Sequence, residues 1–315
     1  MIPKHFHLIW MGKKFPFVNR LAIESIRQYH PNIPITLHYL DPPDNEHWHG
    51  LKDLVEFKEI DIDDLLAEAP NPSGVRAAYD KMAANYPAGK SNVLRYLILH
   101  RFGGVYLDFD VIVLKNMEHL FEGLGFIGEE TVFKCDDDRV KGTLKYSEFI
   151  PAAIGFGISW GLARLNGTYF KNSSILNQAD MIFRKLWAID KLNNAVLGCC
   201  AQSAFFKRVL ELIPETDPSI RFNLGPILMN RVWDENPQNW DLKRLGKNYF
   251  YAIPPSQTAR FFLPYQNELP QESVLVHWCS SNEKSKAALL EESYLKQDLK
   301  VDSVFFHQLA QKILK

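Results

Sequence analysis

The sequence is poor in cysteine, and its cysteines follow no pattern that marks a metal finger or a disulfide framework. The 315 residues include four cysteines: Cys135, Cys199, Cys200 and Cys279. No two of them form a C-x-x-C pair, and the adjacent Cys199 and Cys200 cannot easily bridge each other. We therefore expect free thiols in a reducing compartment.

The sequence also lacks a long apolar run and an excess of charge of either sign. Its longest uncharged run, residues 149–163, is shorter than the roughly 20 residues that a membrane-spanning helix needs. The net charge of −1 gives no sign of general nucleic-acid binding. The N-terminus has a strand pattern without the apolar core of a secretion signal. We therefore expect a cytoplasmic protein, peripheral to a membrane through residues 149–163, with a secreted effector as the alternative.

The strongest pattern in the chain is the stretch Ser91–Leu114, SNVLRYLILHRFGGVYLDFDVIVL. Its first half has apolar residues at helical spacing and predicts a helix that ends at Gly103-Gly104. The apolar run that follows predicts a strand through Leu114. Alternate residues of a strand point to the same side, so we expect Asp108 and Asp110 on one face.

Two carboxylates inside so apolar a strand are costly to bury without a compensating charge. A divalent cation shared with phosphate oxygens would compensate both. The chain has no G-x-G-x-x-G loop, which agrees with phosphate binding by a metal rather than by helix amides. Two surface aspartates are the alternative. Residues 61–63 and 136–138 repeat the D-x-D pattern in polar surroundings, and the first of them is typical of a helix start. The apolar context of Asp108 and Asp110 favours the metal site.

The same stretch resembles the sugar-binding DXD region of family 32 glycosyltransferases and the glucosyltransferase domain of the large clostridial toxins. The resemblance rests on Ser91, Asn92, Arg95, Tyr96, Leu99, Gly103, Gly104, Val105, Tyr106, Asp108 and Asp110. It implies an α/β, GT-A-like fold, with a Rossmann-related, mostly parallel sheet flanked by helices. The chain departs from the pattern at Asn92, where these families usually have an aspartate that binds hydroxyl groups of the donor sugar.

The resemblance also implies a nucleotide-sugar site and a metal, Mn²⁺ or alternatively Mg²⁺. The expected metal ligands are Asp108, Asp110 and His277; neutral imidazole is a common ligand for such ions. Arg95 is expected to assist catalysis beside the two aspartates by touching the sugar or phosphate. Trp10 would stack on the base for ~1–3 kcal/mol. Core packing is the alternative for Trp10, Tyr106 and His277. The expected nucleotide-sugar contacts are Leu8, Trp10, Asn92, Arg95, Tyr106, Asp108 and Lys284.

Hydrophobic periodicity predicts alternating strands and helices along the rest of the chain. The predicted strands are Ile2–Trp10, Ile33–Leu40, Leu124–Gly128 and Ser273–Trp278. The predicted helices are Asn19–Tyr29, Asp61–Ala69, Arg76–Ala84, Gln178–Lys191, Gln202–Ile213, Ile227–Asp234 and Ser303–Leu314. We interpret residues 1–315 as a single domain with a largely helical insertion at residues 134–192. That insertion either packs on the core or contacts the acceptor or a membrane surface.

These observations predict a metal-dependent, retaining glycosyltransferase with a UDP-linked donor. It would move a hexose or N-acetylhexosamine to a glycan such as a cell-surface polysaccharide or a lipid-linked oligosaccharide. The resemblance implies retention, and no separate carboxylate stands out as the general base that an inverting enzyme needs. A toxin-type transferase that modifies a protein side chain is the alternative. A phosphoesterase or nucleotidyltransferase would need further carboxylates for two metals.

Overall fold

The computed structural model describes residues 1–82, 86–134, 146–170, 172–220, 222–263, 268–280, 291 and 304–314. Its strands are β1 (Phe6–Trp10), β2 (Ile35–Tyr39), β3 (Glu56–Glu59), β4 (Gly104–Leu107), β5 (Val111–Val113), β6 (Gly125–Phe133), β7 (Ala188–Cys199), β8 (Lys243–Leu245) and β9 (Leu275–His277). The first helices are α1 (Phe17–Tyr29), α2 (Glu46–His49), α3 (Ile62–Leu66), α4 (Pro72–Lys81) and α5 (Pro87–Phe102). The later helices are α6 (Tyr146–Leu165), α7 (Ser174–Trp187), α8 (Ala204–Leu212), α9 (Leu228–Glu235), α10 (Ala259–Phe262) and α11 (Phe305–Leu314).

The central sheet has seven strands in the order β3-β2-β1-β4-β7-β6-β8. The pairs β3–β2, β2–β1, β1–β4 and β6–β8 are parallel, and β7 alone runs antiparallel to its neighbours β4 and β6. Strands β5 and β9 form a second, two-stranded antiparallel sheet. The predicted α/β fold with a mostly parallel sheet flanked by helices is confirmed.

The two faces of the central sheet are buried against different helices. Tyr106 of β4 belongs to the apolar cluster formed with α5, α8 and α9. Val105 and Leu107, which point the other way, belong to the cluster formed with α1. The middle of the sheet is therefore covered on both sides.

The predicted end of α5 is confirmed at its glycine pair. Gly103 and Gly104 have φ values of +65° and +89°, which favour glycine. A Cβ atom on Gly103 would lie 2.6 Å from the backbone nitrogen of Ala201. The chain can therefore leave α5 and enter β4 within two residues.

The expectation of one continuous strand from Val105 to Leu114 is wrong. Strand β4 ends at Leu107, Asp108–Asp110 turns away from the central sheet, and Val111–Val113 pairs with β9 in the second sheet. Asp108 and Asp110 are therefore brought together by a turn between two sheets and not by strand alternation.

The helix predicted at Gln178–Lys191 ends at Trp187, and the following residues form the long strand β7. Residues Ala188–Leu192 pair with Glu129–Phe133 of β6, so this end of the predicted insertion is part of the central sheet. The helices α6 and α7 lie between the two strands in the chain. Within the described residues, no helix is both long and apolar enough to cross a membrane. The division into one domain with an insertion at 134–192 stays a prediction.

Candidate functional site

Asp108 lies directly after β4, and its carboxylate is held from two sides. Its backbone amide donates to the Ala195 carbonyl of β7 at 2.8 Å. The Tyr106 hydroxyl donates to Oδ1 at 2.6 Å, Arg95 Nη1 donates to Oδ2 at 3.2 Å, and Arg95 Nη2 lies 3.1 Å from Oδ1. Such two-pronged contact fixes the plane of a carboxylate. The side chain is still 27% exposed, so a ligand can reach it.

Arg95 lies beneath the site. It is 5% exposed, and its guanidinium is 4.4 Å from the centroid of the Tyr106 ring. Its five N–H groups are directed at Ser91, Asp108 and the backbone carbonyl of Asn194, the last at 2.6 Å. Arg95 thus directs its N–H groups at acceptors within the protein, and its contact with sugar or phosphate stays a prediction. Tyr106 is also buried, and both side chains position Asp108.

Asp110 is paired with His277 across the second sheet. The antiparallel register of β5 and β9 sets Val111 opposite His277. Asp110 Oδ1 lies 3.1 Å from His277 Nε2, and Oδ2 accepts the backbone N–H of Ser280 at 2.9 Å. The structure thus brings Asp110 and His277, two of the three predicted metal ligands, into contact, although they are separated by 167 positions in the sequence.

The electrostatics of the two aspartates differ. Burial raises the pKa of the Asp108 carboxyl, and the neighbouring Asp110 adds to that rise against the opposing charge of Arg95. Burial also acts to raise the pKa of Asp110, but His277 and the Ser280 amide outweigh it and lower that pKa to about 2. Asp110 is therefore the more firmly ionised of the pair.

Two of the three predicted ligands are spaced as neighbouring ligands of a divalent cation would be. Two ligands about 2.1 Å from an octahedral ion and at right angles to each other lie about 3.0 Å apart, and the Asp110–His277 contact is 3.1 Å. Carboxylate oxygen and imidazole nitrogen both suit ions such as Mn²⁺. Asp110 and His277 would hold the ion, with Asp108 beside them.

Glu130 and Cys279 lie behind His277, and the sequence analysis did not identify either as part of the site. His277 Nδ1 is 3.4 Å from Cys279 Sγ and 3.7 Å from Glu130 Oε1, and Asn193 Nδ2 donates to Glu130 Oε2 at 2.7 Å. The three ligand atoms of Glu130, His277 and Cys279 lie within 4.8 Å of one another. Partners on Nδ1 orient the ring and leave Nε2 toward Asp110. No local signal marks Glu130, because it follows Glu129 directly and the sequence does not distinguish the two acids.

Asn92 is joined to β7 by a short network of polar groups. Asn194 Nδ2 donates to Asn92 Oδ1 at 2.9 Å and to the Tyr96 hydroxyl at 3.0 Å. Gly225 lies beside both amides, and a Cβ atom there would be 3.0 Å from Asn92 Nδ2. The segment Asn193–Gly198 and the Gly225-Pro226 turn therefore meet at Asn92.

The remaining predicted residues lie in different surroundings. Trp10 ends β1, is partly exposed, and makes an edge contact with Phe109 at a centroid distance of 5.3 Å. Its indole donates to the Gly12 carbonyl at 2.9 Å. Trp10 therefore borders the turn that carries the two aspartates, and base stacking by it stays a prediction. The side chain of Leu8 is fully buried in the core, and contact of this strand with the nucleotide stays a prediction. Lys284 lies outside the described residues.

Residues 16–127 match a family described as a glycosyltransferase sugar-binding region containing the DXD motif. The match includes Asn92, Arg95, Tyr106, Asp108 and Asp110, but not Trp10 or His277. The predicted resemblance to DXD glycosyltransferases is confirmed over this segment, which is a little more than a third of the chain.

One curated relative is the lactosylceramide 4-alpha-galactosyltransferase of Rattus norvegicus, which is 28% identical over 118 residues, 35% of this chain. The chain spans 33% of that relative's length. Solved structures with a similar fold include the PaToxG glycosyltransferase, at 17% identity over 75% of this chain and 70% of that one, with a TM-score of 0.44. Mouse xyloside xylosyltransferase 1 is 13% identical over 87% of this chain and 96% of its own, with a TM-score of 0.46.

Proposed function

We propose that this protein is a metal-dependent, retaining glycosyltransferase that uses a UDP-linked hexose or N-acetylhexosamine. The observation that carries the proposal is the 3.1 Å contact between Asp110 and His277, next to Asp108, whose carboxylate is held in place. Both aspartates lie in the segment that matches the sugar-binding DXD region.

The chain's own residues prepare the site for a charged leaving group. Asp110 and His277 would hold a divalent ion, Mn²⁺ or alternatively Mg²⁺, which when bound supplies Lewis-acid stabilisation of negative charge on a diphosphate. Arg95 and Tyr106 fix Asp108 so that its carboxylate does not have to reorient on binding. We propose that Trp10 borders the base and that Asn92 borders the donor sugar.

We infer that transfer retains the anomeric configuration. In such a step the bond between the sugar C1 and the diphosphate oxygen breaks, and a bond from C1 to the acceptor hydroxyl oxygen forms on the same face. The acceptor proton passes to the leaving diphosphate, so no dedicated base is needed. Product anomers resolved by proton NMR would test this, and an inverted product would refute it.

The metal requirement can be tested with the purified protein and radiolabelled UDP-sugars. We expect slow donor hydrolysis with Mn²⁺ even without an acceptor, loss of that activity with EDTA, and recovery with excess Mn²⁺. Asp110→Asn should lower the rate at least 100-fold. Asp63→Asn is the matched control, because residues 61–63 have the same D-x-D pattern. That pattern belongs to the start of α3, where the Asp61 side chain accepts the backbone N–H groups of Asp63 and Asp64. Activity that is indifferent to EDTA would reject the metal assignment.

The proposed acceptor is a glycan, such as a polysaccharide or a lipid-linked oligosaccharide. The rat relative's name describes galactosyl transfer to a glycolipid, lactosylceramide, and a glycan acceptor here is in line with it. A protein side chain is the alternative. Transfer of label from the donor to oligosaccharides would support the glycan acceptor, and transfer to lysate proteins would support the protein acceptor.

We also propose cytoplasmic localisation with peripheral membrane contact through residues 149–163, extended to the residues that follow α6 and to α7. Between residues 153 and 187 the acidic residue is Asp180, which is buried and paired with Arg184, whereas Arg164 and Lys185 add positive charge. Apolar side chains and cations together suit an anionic lipid surface. The exposed apolar side chains of this region are Ile154, Trp160, Leu165, Tyr169, Phe170, Ile175, Met181, Ile182 and Leu186.

Sedimentation with vesicles tests the membrane contact. Phosphatidylglycerol vesicles should retain the protein more strongly than phosphatidylcholine vesicles, and the pair Tyr169→Ser with Phe170→Ser should weaken that binding at least fivefold. Leu124→Ser is the control, because Leu124 is also exposed but lies outside the proposed membrane-contact region, which includes Tyr169 and Phe170. Equal binding of the double variant and the parent would refute the proposed surface.

A further inference from the structure

Three metal-binding side chains meet at the ring nitrogen of His277 that does not face Asp110. His277 Nδ1 lies 3.4 Å from Cys279 Sγ and 3.7 Å from Glu130 Oε1, and Cys279 Sγ lies 4.0 Å from Glu130 Oε1. Cys279 and Glu130 are each 6% exposed. A thiol, an imidazole and a carboxylate therefore form a small, buried triangle that the proposed transfer reaction does not use.

The backbone around Asp110 holds the thiol beside the imidazole. The Trp278 amide donates to the Asp110 carbonyl at 2.9 Å, and the Ser280 amide donates to Asp110 Oδ2 at 2.9 Å. Cys279 lies between these two bonds with a φ of +49°, a left-handed conformation that costs a residue with a Cβ atom about 1–3 kcal/mol. The fold therefore maintains a strained backbone at the position where the thiol joins the triangle.

The charges around the His277 ring are not balanced by the ring itself. Its Nε2 faces Asp110 at 3.1 Å, and its Nδ1 faces Glu130 at 3.7 Å. The other oxygen of Glu130 accepts a neutral amide N–H, from Asn193, at 2.7 Å. One imidazole, which carries at most a single positive charge, thus lies between two buried carboxylates. Buried carboxylates need compensating charge, and a divalent cation in the triangle would supply it.

The spacing and the chemistry of the triangle suit zinc. With bond lengths of about 2.0–2.3 Å, the ligands of a zinc ion lie about 3.4–3.8 Å apart, whether the ion is tetrahedral or lies close to the plane of three of them. The observed separations of 3.4, 3.7 and 4.0 Å cover that range and slightly exceed it. Thiolate and imidazole favour zinc, whereas Mn²⁺ and Mg²⁺ prefer oxygen ligands.

We propose that Glu130, His277 and Cys279 form a zinc site, and that zinc bound there excludes Mn²⁺ from His277. The ion would bind Nδ1, the thiolate and a Glu130 oxygen, with water as the fourth ligand, and the thiol proton would pass to solvent. With Nδ1 occupied, the ring keeps its proton on Nε2 and donates it to Asp110, as zinc-bound histidines commonly do to carboxylates. Nε2 then has no lone pair for Mn²⁺. The exclusion of Mn²⁺ rests on the proposed function, and the zinc site does not.

Co²⁺ added to the metal-free protein tests the site, because thiolate bound to Co²⁺ gives a charge-transfer band in the near ultraviolet. We expect this band in the parent, its loss on addition of Zn²⁺, and its absence in Cys279→Ser. Cys200→Ser is the matched control and should keep the band, because Cys200 is also a free thiol but lies outside the triangle. A parent without the band, or a band that survives in Cys279→Ser, would refute the site.

The carboxylate ligand has a test that leaves the thiol in place and does not depend on the folding of Cys279→Ser. Glu130→Gln should weaken Zn²⁺ binding at least about tenfold, as measured by competition with a chromogenic chelator. Glu129→Gln is the control and should leave the affinity nearly unchanged, because the neighbouring Glu129 is paired with Arg244 instead. Equal affinities in these two variants would show that Glu130 does not bind the ion.

Mn²⁺ binding tests the exclusion without turnover. The electron paramagnetic resonance signal of free Mn²⁺ should fall when Mn²⁺ binds the protein with UDP, and equimolar Zn²⁺ should restore it. Cys279→Ser should need at least about tenfold more Zn²⁺ for the same recovery. If Mn²⁺ does not bind, the metal assignment in the proposed function fails, and the Co²⁺ band still decides the zinc site. If the protein holds both ions together, the exclusion is refuted.

Discussion

At the scale of single residues, the site depends on a buried ion pair. Arg95 is almost completely enclosed, and Asp108 accepts hydrogen bonds from both Arg95 and Tyr106. A buried pair of this kind contributes little net stability by itself, but removal of one partner leaves an uncompensated charge. The pair instead fixes the position of the Asp108 carboxylate at the point where the chain leaves the central sheet.

Arg95→Ala should therefore lower the free energy of unfolding by about 3–5 kcal/mol, because Asp108 and the Asn194 carbonyl lose their donors. The double variant Arg95→Ala with Asp108→Asn should recover part of that loss. Urea unfolding followed by far-ultraviolet circular dichroism measures both. Strictly additive losses in the two single variants and the double variant would show that the pair is not coupled.

The sequence predicted the identity of the main site residues better than their roles. A D-x-D after an apolar strand and a histidine at the end of a late strand are local patterns, and Asp110 and His277 meet in the structure, while their role as metal ligands stays a prediction. The roles of Arg95 and Tyr106 could not be predicted, since burial of their polar atoms depends on β7, about 100 residues later. Glu130 was missed for the same reason.

At the scale of elements, the ends of helices follow local rules that the sequence contains. Gly103 adopts a left-handed conformation, and its missing Cβ makes room for the backbone of Cys199–Ala201. Gly157, inside α6, is exposed, and a Cβ there would meet no atom within 4 Å.

These two glycines should respond to the same change in opposite ways. Gly103→Ala should lower the free energy of unfolding by at least about 2 kcal/mol, from positive-φ strain and the contact with Ala201. Gly157→Ala should raise it by up to about 1 kcal/mol, because alanine has the higher helix propensity. Thermal unfolding of the two variants in parallel provides the measurement, and destabilisation by Gly157→Ala would contradict the open surface assigned to α6.

Strands β1 and β2 carry buried histidines that the mechanism does not use. His7 Nδ1 lies 3.1 Å from His38 Nε2, and His5 stacks on His7 with ring centroids 4.5 Å apart. Burial lowers the pKa of His38 to about 3, with Lys58 and His5 adding to the effect. Burial likewise lowers the pKa of His7 well below its ordinary value, with His38 and His5 contributing. Both residues therefore stay neutral in the folded protein near neutral pH.

Acidification should destabilise the fold through this pair. In the unfolded chain the histidines bind protons below about pH 6.5, and in the folded protein they do not. The contribution of these two histidines to stability is fully present above that pH and is lost as the pH falls below it. At pH 5.5 each histidine that stays neutral in the folded protein lowers the free energy of unfolding by about 1.4 kcal/mol. Urea unfolding at pH 7.5 and 5.5 should show a smaller pH effect for His38→Gln than for the parent, and an unchanged difference would refute the assignment.

The errors in the predicted elements have a common physical cause. Residues on either side of Asp108–Asp110 are equally apolar, so hydrophobic pattern alone could not reveal that β4 and β5 belong to different sheets. In the same way, apolar positions at helical spacing continue past Trp187 to Ile189, which is already in β7. In both places long-range pairing, and not local propensity, sets the boundary.

At the scale of the whole molecule, the site exists because two sheets meet. Asp108 leaves the central sheet, while Asp110 and His277 are held by β5 and β9. The parallel start of the sheet followed from the strand–helix–strand pattern. The antiparallel insertion of β7 between β4 and β6 could not be predicted, because it joins segments far apart in the chain.

A ligand at this junction should therefore stabilise the entire fold. If the Mn²⁺–UDP complex binds as a single ligand at 100 times its dissociation constant, the free energy of unfolding should rise by about 2.7 kcal/mol. His277→Asn should abolish the Mn²⁺-dependent part of the rise in Tm, whereas His119→Gln, at an exposed position, should preserve it. Amide hydrogens of β5 and β9 should exchange more slowly with the metal present, since the ion would tie these strands to the turn after β4. A full Tm shift in His277→Asn, with unchanged exchange in β5 and β9, would mean that the metal binds away from the sheet junction.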